Sequence, residues 1–382
     1  MRKVASLILI TLSLGLFAQK AKVTSTFNYL RSGELDEAKE AIDLATVNPS
    51  TAEWYKTWMY RAQTYARLAN SKEEKFASLK EGALEEAIKA YKKALTIEDK
   101  KSDKNQLRRE YGSLINTAYS TGSLAYDNKD YAGTYKYWVM ADGINDDLGI
   151  KDTALVYNIA LIANMAGYQK ESIMYYDKCI ANDFKGANPY VAKSRIQSEM
   201  KDTDGALATL AAGRAKYPND QSLITSEIDI YLVSERLDEA LVNLNLAINN
   251  DPENYIFYYF RGLIYDNKKD MDNAVKDYEK SIELNPEHYE SYLGLGALYN
   301  NKGAEMLTIA NGLPPSKQKE YDIAKAEAVA VIRQGLPYIE KAHELKPDDM
   351  NTMNSLKSIY AALKENEKLM GIMAEIKAAE AK

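Results

Sequence analysis

The strongest constraint in this 382-residue sequence is a spacing. Between residues 153 and 288, apolar and small side chains recur every 34 positions without a gap. Tyr258, Gly262 and Tyr265 fall on one helical face, Ala274, Tyr278 and Ser281 on a second, and Pro286 follows. Moving back 34 positions gives Ile224, Ile228 and Tyr231, then Ala240, Leu244, Ala247 and Pro252. Before these stand Tyr190, Ser194 and Gln197, then Ala206, Leu210, Gly213 and Pro218. The earliest of the four carries Val156, Ala160 and Ala163, then Ser172, Tyr176 and Cys179, with Phe184 in place of the proline. Residues three and four apart share a helix face, so each period encodes two helices. Small residues such as Gly262 and Ala274 let those helices touch, and large ones such as Tyr258 and Tyr278 fill the space between layers. Proline ends the second helix because it cannot continue the hydrogen-bond ladder. Such a unit buries its faces only by stacking on neighbours.

This pattern resembles the tetratricopeptide repeat (TPR) superfamily, whose 34-residue helix–turn–helix unit carries the same large–small–aromatic, Ala-x3-aromatic and Pro marks. The resemblance implies an all-α, right-handed α-solenoid of about nine units, two of them with extended helical hairpins. The rest of the chain fits once two insertions are allowed. Trp58, Ala62 and Tyr65 begin a unit whose second helix, with Ala87, Tyr91 and Ala94, comes 13 residues late. Tyr292, Gly296 and Tyr299 begin another, completed 27 residues late by Gly335, Ile339, Ala342 and Pro347. Units are expected near 19–52, 55–101, 115–148, 153–186, 187–220, 221–254, 255–288, 289–349 and 350–382, as one array. The first and last are less regular, as ends facing solvent are.

Both insertions are informative. From Tyr292 to Leu313 apolar residues alternate spacings of four and three, and Tyr321 to Ala342 nearly repeats this. That is a coiled-coil-like seam. Leu313-Pro314-Pro315-Ser316 supplies a helix stop and a new N-cap. Residues 289–346 therefore read as two long antiparallel helices whose tip projects roughly 17 Å beyond its neighbours. The insertion around Asn70–Gly82 predicts a second, smaller projection. Lys100, Lys101, Lys104, Arg108 and Arg109, interrupted by Asp103, read as a solvated linker.

The N-terminus carries a different signal. Arg2 and Lys3 precede an uncharged, mostly apolar run from Val4 to Phe17, and Ala18 offers a small residue before Gln19. This pattern predicts a signal peptide over 1–18, cleaved near Ala18. The run is too short for a span of about 20 apolar residues. No cysteine stands near Ala18 to take a lipid. The mature chain is expected to be periplasmic or otherwise exported, with no membrane span. Loss of Arg2 and Lys3 moves the formal net charge from −6 to −8. Nucleic acid is disfavoured, because its binding rests on basic contacts to phosphate.

No catalytic constellation is visible: no Gly-rich phosphate loop, no His-Glu-x-x-His and no Gly-x-Ser-x-Gly turn. One cysteine and two histidines cannot build a four-ligand zinc site. Cys179 takes the small-residue place of Ala247 and Ser281 and reads as buried packing. No catalytic residue, metal ligand or cofactor is expected. Asp152-Thr153-Ala154 resembles an O-glycosylation acceptor of some Bacteroidetes envelope proteins, although Asp152 or Thr153 as an N-cap explains it more simply. The signal end, the Tyr-rich repeats and the long late hairpin also resemble exported TPR proteins of that phylum.

In the family that the sequence resembles, first helices line a groove for peptides or folded partners. Here the positions opposite the packing residues are Tyr119, Tyr126, Tyr157, Asn164, Arg195, Glu199, Asp229, Tyr259, Asp266 and Asn300. Aromatic residues with polar tips make frequent binding anchors, although several of these tyrosines can equally cover neighbouring helices. Arg195 is the one basic residue among them, which departs from the Lys/Arg/Asn cluster by which some family members hold a C-terminal carboxylate. The expected function is a non-catalytic scaffold or assembly factor of the cell envelope that binds protein or peptide. The alternative is a glycan- or peptidoglycan-binding protein that stacks sugars on the groove tyrosines.

Overall fold

The structure, a computed structural model, describes residues 20–380. The expected signal peptide and its cleavage near Ala18 lie outside these residues. The described chain is all-α. It divides into two compact units, one up to Leu223 and one from Ile224.

The first unit contains α1 (20–32), α2 (Leu35–Val47), α3 (Tyr55–Asn70), α4 (Ala83–Thr96), α5 (Lys104–Asp127), α6 (Tyr131–Leu148), α7 (Thr153–Met165), α8 (Gln169–Ala181), α9 (Asn188–Glu199) and α10 (Thr203–Lys216). From α2 onward each helix packs on the next along the chain, so helix hairpins stack in sequence order. The small residues of the repeat hold the closest approaches: Ala62, Ala87, Ala118, Ala141, Ala160 and Ala206 are fully buried.

Two segments depart from the sequence expectation. The 13 inserted residues do not lengthen α3 and α4 into a projecting hairpin. They form a 3₁₀ helix, Glu74–Leu79, whose Phe76 is 1% exposed and joins the core. Burying that one aromatic ring in a charged stretch draws the insertion inward. The basic stretch before residue 115 is also not a linker. Asp103 accepts a hydrogen bond from Gln106 N at 2.9 Å and starts α5 there, with Lys104, Arg108 and Arg109 on the helix. Leu107, Tyr111 and Leu114, at i, i+4 and i+7, form a buried stripe that continues the helix N-terminally.

The second unit begins within α11 (Gln221–Val233) and continues with α12 (Leu237–Asn250), α13 (Tyr255–Asn267), α14 (Met271–Leu284), α15 (Tyr289–Asn311), α16 (Gln318–Leu345), α17 (Met350–Leu363) and α18 (Asn366–Glu380). Arg261 on α13 donates from Nε and Nη2 to the two carboxylate oxygens of buried Asp277 on α14, both at 2.7 Å. The long antiparallel pair expected over 289–346 is present as α15 and α16, joined through a 3₁₀ turn at Pro315–Lys317. Its seam is closed by glycines. A Cβ on Gly303 would overlap Ile332 and lie 2.9 Å from the Ala328 carbonyl oxygen, and one on Gly335 would lie 2.8 Å from Tyr299 Cβ.

The turn between the two helices of a unit recurs with the period. Gly167, Lys201, Glu235 and Lys269 all adopt positive φ, between 56° and 81°, and stand 34 residues apart. For a side chain this left-handed conformation costs roughly 1–2 kcal/mol. The turn offsets it by satisfying helix-end carbonyls: Lys201 N donates to Ser198 O at 2.9 Å and Asp202 N to Gln197 O at 2.8 Å. Asp202 then caps the next helix by accepting from Gly205 N at 3.0 Å, as Asp130 and Asp270 do in their own units. One period beyond Lys269 stands Gly303, where α15 makes no turn and runs on to Asn311. The long pair arises there because Gly303 sits against Ile332 instead of reversing the chain.

Candidate functional site

The residues expected to bind a partner fall in both units. In the first unit they are Tyr119 and Tyr126 on α5, Tyr157 and Asn164 on α7, and Arg195 and Glu199 on α9. The Tyr119 ring stacks on Trp138 of α6, centroids 5.5 Å apart and planes within 7°. Tyr126 lies against the same indole at 6.4 Å and 15°. Trp138 is buried over Gly122, where a Cβ would overlap its ring, and its Nε1 donates to Tyr119 O at 3.3 Å. One turn of helix without a side chain thus seats an indole between two phenols. Tyr157 repeats the arrangement edge-on, 6.0 Å from both Tyr176 and Phe184. Burial, with the neighbouring Tyr157 phenol, holds the Tyr176 hydroxyl well above the usual tyrosine range, and Arg195 opposes this.

These tyrosines therefore have two roles. They cover the large residue of the second helix, and α5 still leaves Tyr119 and Tyr126 44% and 45% exposed. On the same face of α7, Leu161 and Met165 are 39% and 48% exposed. Asn164, Arg195 and Glu199 add polar groups beside them, with Arg195 and Glu199 exposed. The first-helix face of this unit is an apolar, aromatic band with a polar margin. Leu161 and Met165 were not among the expected residues, although their i, i+4 spacing opposite the packing face was visible.

In the second unit Tyr259 and Asp266 lie on α13, Asp229 on α11 and Asn300 on α15. Tyr259 sits 6.1 Å from Tyr278, the counterpart of the Tyr119–Trp138 pair, and 5.1 Å edge-on from His288. Burial first, then the carboxylates of Glu290 and Asp229, raise the Tyr259 hydroxyl above its usual range. Burial likewise raises Asp229 and Asp266. Among the described residues α13, α17 and the part of α15 before its extension expose no large apolar side chain. His288 Nδ1 pairs with Ser291 Oγ at 2.7 Å, and burial lowers its affinity for a proton.

A site absent from the sequence expectation lies earlier, between the first helices α3 and α5. Two adjoining cavities, about 190 and 270 Å3, open there. Both are lined by Gln63 and Glu110, and Gln63 Nε2 donates to Glu110 Oε2 at 2.9 Å. Burial and then the carboxylates of Glu110, Asp99 and Asp103 raise the Tyr55 hydroxyl on the floor of the smaller cavity.

Other reactive groups are quiet. Cys179 is buried, and burial pushes its thiol up to about 11. His343 Nε2 meets Glu375 at 3.0 Å. Asp152 Oδ1 accepts from Leu155 N at 2.9 Å, so this residue is the N-cap of α7. Among the described residues no group of three or more His, Cys, Asp or Glu is placed to hold a metal ion. No described helix is long and apolar enough to cross a membrane.

Residues 255–288 match the family model of the tetratricopeptide repeat and are such a repeat. No curated protein matches the chain. Among solved structures, a TPR repeats protein from Bacteroides fragilis is 21% identical, over 65% of this chain and 98% of its own, with a TM-score of 0.35. MamA from Desulfovibrio magneticus is 16% identical over 52% of this chain and 97% of its own, TM-score 0.34. YrrB, described as a TPR protein with an unusual peptide-binding site, is 17% identical over 54% and 97%, TM-score 0.31.

Proposed function

We propose that this chain, which carries a tetratricopeptide repeat, is a non-catalytic protein that binds protein or peptide partners outside the cytoplasm, as a scaffold or assembly factor of the cell envelope. The observation that carries this reading is the exposed band of Tyr119, Tyr126, Leu161 and Met165 on successive first helices. Large apolar side chains grouped on one face mark interaction sites. Tyrosine and methionine are enriched where such sites form. A stacked framework presents them pre-organised, so little ordering entropy opposes docking. The export signal in the sequence supports the compartment.

Crosslinking the protein in cells identifies the partner, and the purified pair then gives an affinity. Leu161→Glu with Met165→Glu is expected to weaken that affinity at least tenfold while the helical circular dichroism stays unchanged. Unaltered affinity would sink the proposal. The parallel rings of Tyr119 and Tyr126 favour a second reading, sugar stacking. Saturable binding to peptidoglycan fragments that survives the two glutamates but is lost in Tyr119→Ala/Tyr126→Ala would decide for it.

A further inference from the structure

A cleft opens between α3 and α5 on the first unit's first-helix face. Its smaller cavity, about 190 Å3, is several times the ~30 Å3 share of one water molecule. Tyr55, Met59 and Leu107 give it an apolar wall. Asp99, Asp103 and Glu110 face the same space, and every hydrogen-bond donor they have is neutral. Asp99 accepts from Lys101 N at 2.8 Å and Asp103 from Gln106 N at 2.9 Å. Glu110 accepts from the amides of Gln63 and Gln106, both at 2.9 Å, and from the Tyr91 hydroxyl at 3.4 Å. Lys56 and Lys101 stand exposed at the mouth, and neither closes an ion pair with these carboxylates among the described residues. The cleft thus carries two half-buried carboxylates, Asp99 and Glu110, an exposed one, Asp103, an apolar wall, and two exposed lysines at its mouth. Past the Gln63–Glu110 bridge the larger cavity is lined by Asn70 and Ser113, which already donate to Ala66 O and Glu110 O, and by Arg67, whose guanidinium has further donors beyond its bond to Leu30 O.

We infer that this cleft receives an extended peptide segment by inserting one lysine or arginine side chain. The alkyl stem would lie on Met59 and Leu107, and the cation would complete the charge of Glu110, Asp99 and Asp103. Basic side chains are built for such a place, with an apolar stem and a charged head. The adjoining backbone carbonyls would meet the rim lysines and Arg67 of the larger cavity. The inference rests on the reading of the first-helix face as a binding surface, and it names what one part of that face selects.

Met59 provides the reporter. The full chain, labelled with 13C at the methionine methyls and assigned through Met59→Leu, is titrated with acetyl-Ala-Ala-Lys-Ala-Ala-amide and its Arg, Gln and Glu counterparts. The Lys and Arg peptides are expected to shift the Met59 methyl saturably, with the Gln and Glu peptides at least tenfold weaker. Glu110→Gln is expected to weaken the lysine peptide about fivefold or more. Asp99→Asn, outside the bridge, is expected to do so by a smaller factor, and it serves if Glu110→Gln melts early. A Met59 methyl unmoved by every peptide, an equal response to Lys and Gln, or unchanged affinity in both variants overturns the inference. Spermidine binding as tightly as the lysine peptide overturns the peptide part, since a free amine would then suffice. A silent Met59 with Leu161-dependent partner capture defeats the cleft alone. A responding Met59 with no such capture defeats the docking band alone.

Discussion

The two units use one packing device and finish it differently. In each, an aromatic residue of the second helix lies over a glycine of the first and is covered by a tyrosine 19 positions before it: Tyr119 over Trp138, Tyr259 over Tyr278. On α5 the covering tyrosine remains 44% exposed among other apolar groups. On α13 it lies against His288 and Phe260 with acidic neighbours and is half-buried. The repeat dictates the contact between helices, whereas the outward side of that contact is free to become either a greasy face or a polar one. A position's place in the 34-residue period therefore says how it packs, not what it binds.

The contrast can be attacked at its supports. The largest effect is expected in the second unit, from Asp277→Ala. Removing this acid leaves the half-buried Arg261 guanidinium with Asn245 as its remaining hydrogen-bond partner. Breaking a fully buried ion pair costs about 3–5 kcal/mol, so a loss toward the lower end of that range is expected, measurable by urea unfolding followed by circular dichroism. A loss under about 1 kcal/mol would show that Arg261 simply turns to solvent.

Next comes a matched pair. Gly122→Ala puts a methyl into the rigid Trp138 ring, while in Gly262→Ala the new Cβ lies 3.0 Å from Tyr278 Cδ1, which a small ring shift relieves. Overpacking costs about 1–3 kcal/mol, so Gly122→Ala is expected near the top of that range and Gly262→Ala near or below its floor. Equal losses would mean that the two aromatic seats are equally tight.

The smallest effect concerns charge. Burial raises the half-buried Asp266 carboxyl, so in the window between the ordinary carboxylate pKa and the raised one the folded chain holds more protons than the unfolded chain. Stability therefore falls as pH rises through that window. Asp266→Asn is expected to add a few tenths of a kcal/mol at neutral pH, small because the group is partly solvated, a gain that vanishes as the pH is lowered through the carboxylate range. A gain that grows on acidification would contradict the assignment.

Much of this architecture was legible in the sequence, because small and large residues at fixed spacing report helix contacts directly. The long α15–α16 pair followed from the same spacing. The left-handed turns were not legible, since Lys201, Glu235 and Lys269 are residue types that rarely mark such a conformation, and only the period betrays them. The α3–α5 cleft was hidden by a composition argument. Charged residues at 100–109 suggested a linker, while Leu107, Tyr111 and Leu114 already carried the helical stripe. Phe76 was a single apolar letter in a charged insertion, too little pattern to announce a buried anchor. Tyr119, Tyr126 and Tyr157 were placed on the right helices, but their stacking duty shows only when the partner ring 19 residues on is considered.

The seat of Trp138 has an optical consequence. The chain has three tryptophans, at 54, 58 and 138, and all belong to the first unit. Light absorbed by indole alone is therefore emitted from that unit only, and the second stays dark. One of the emitters lies directly beneath Tyr119 and Tyr126, so anything that settles on those phenols alters the polarity around a fluorophore the protein already carries. Occupancy of the band is then readable as a change of colour or brightness, with no dye attached.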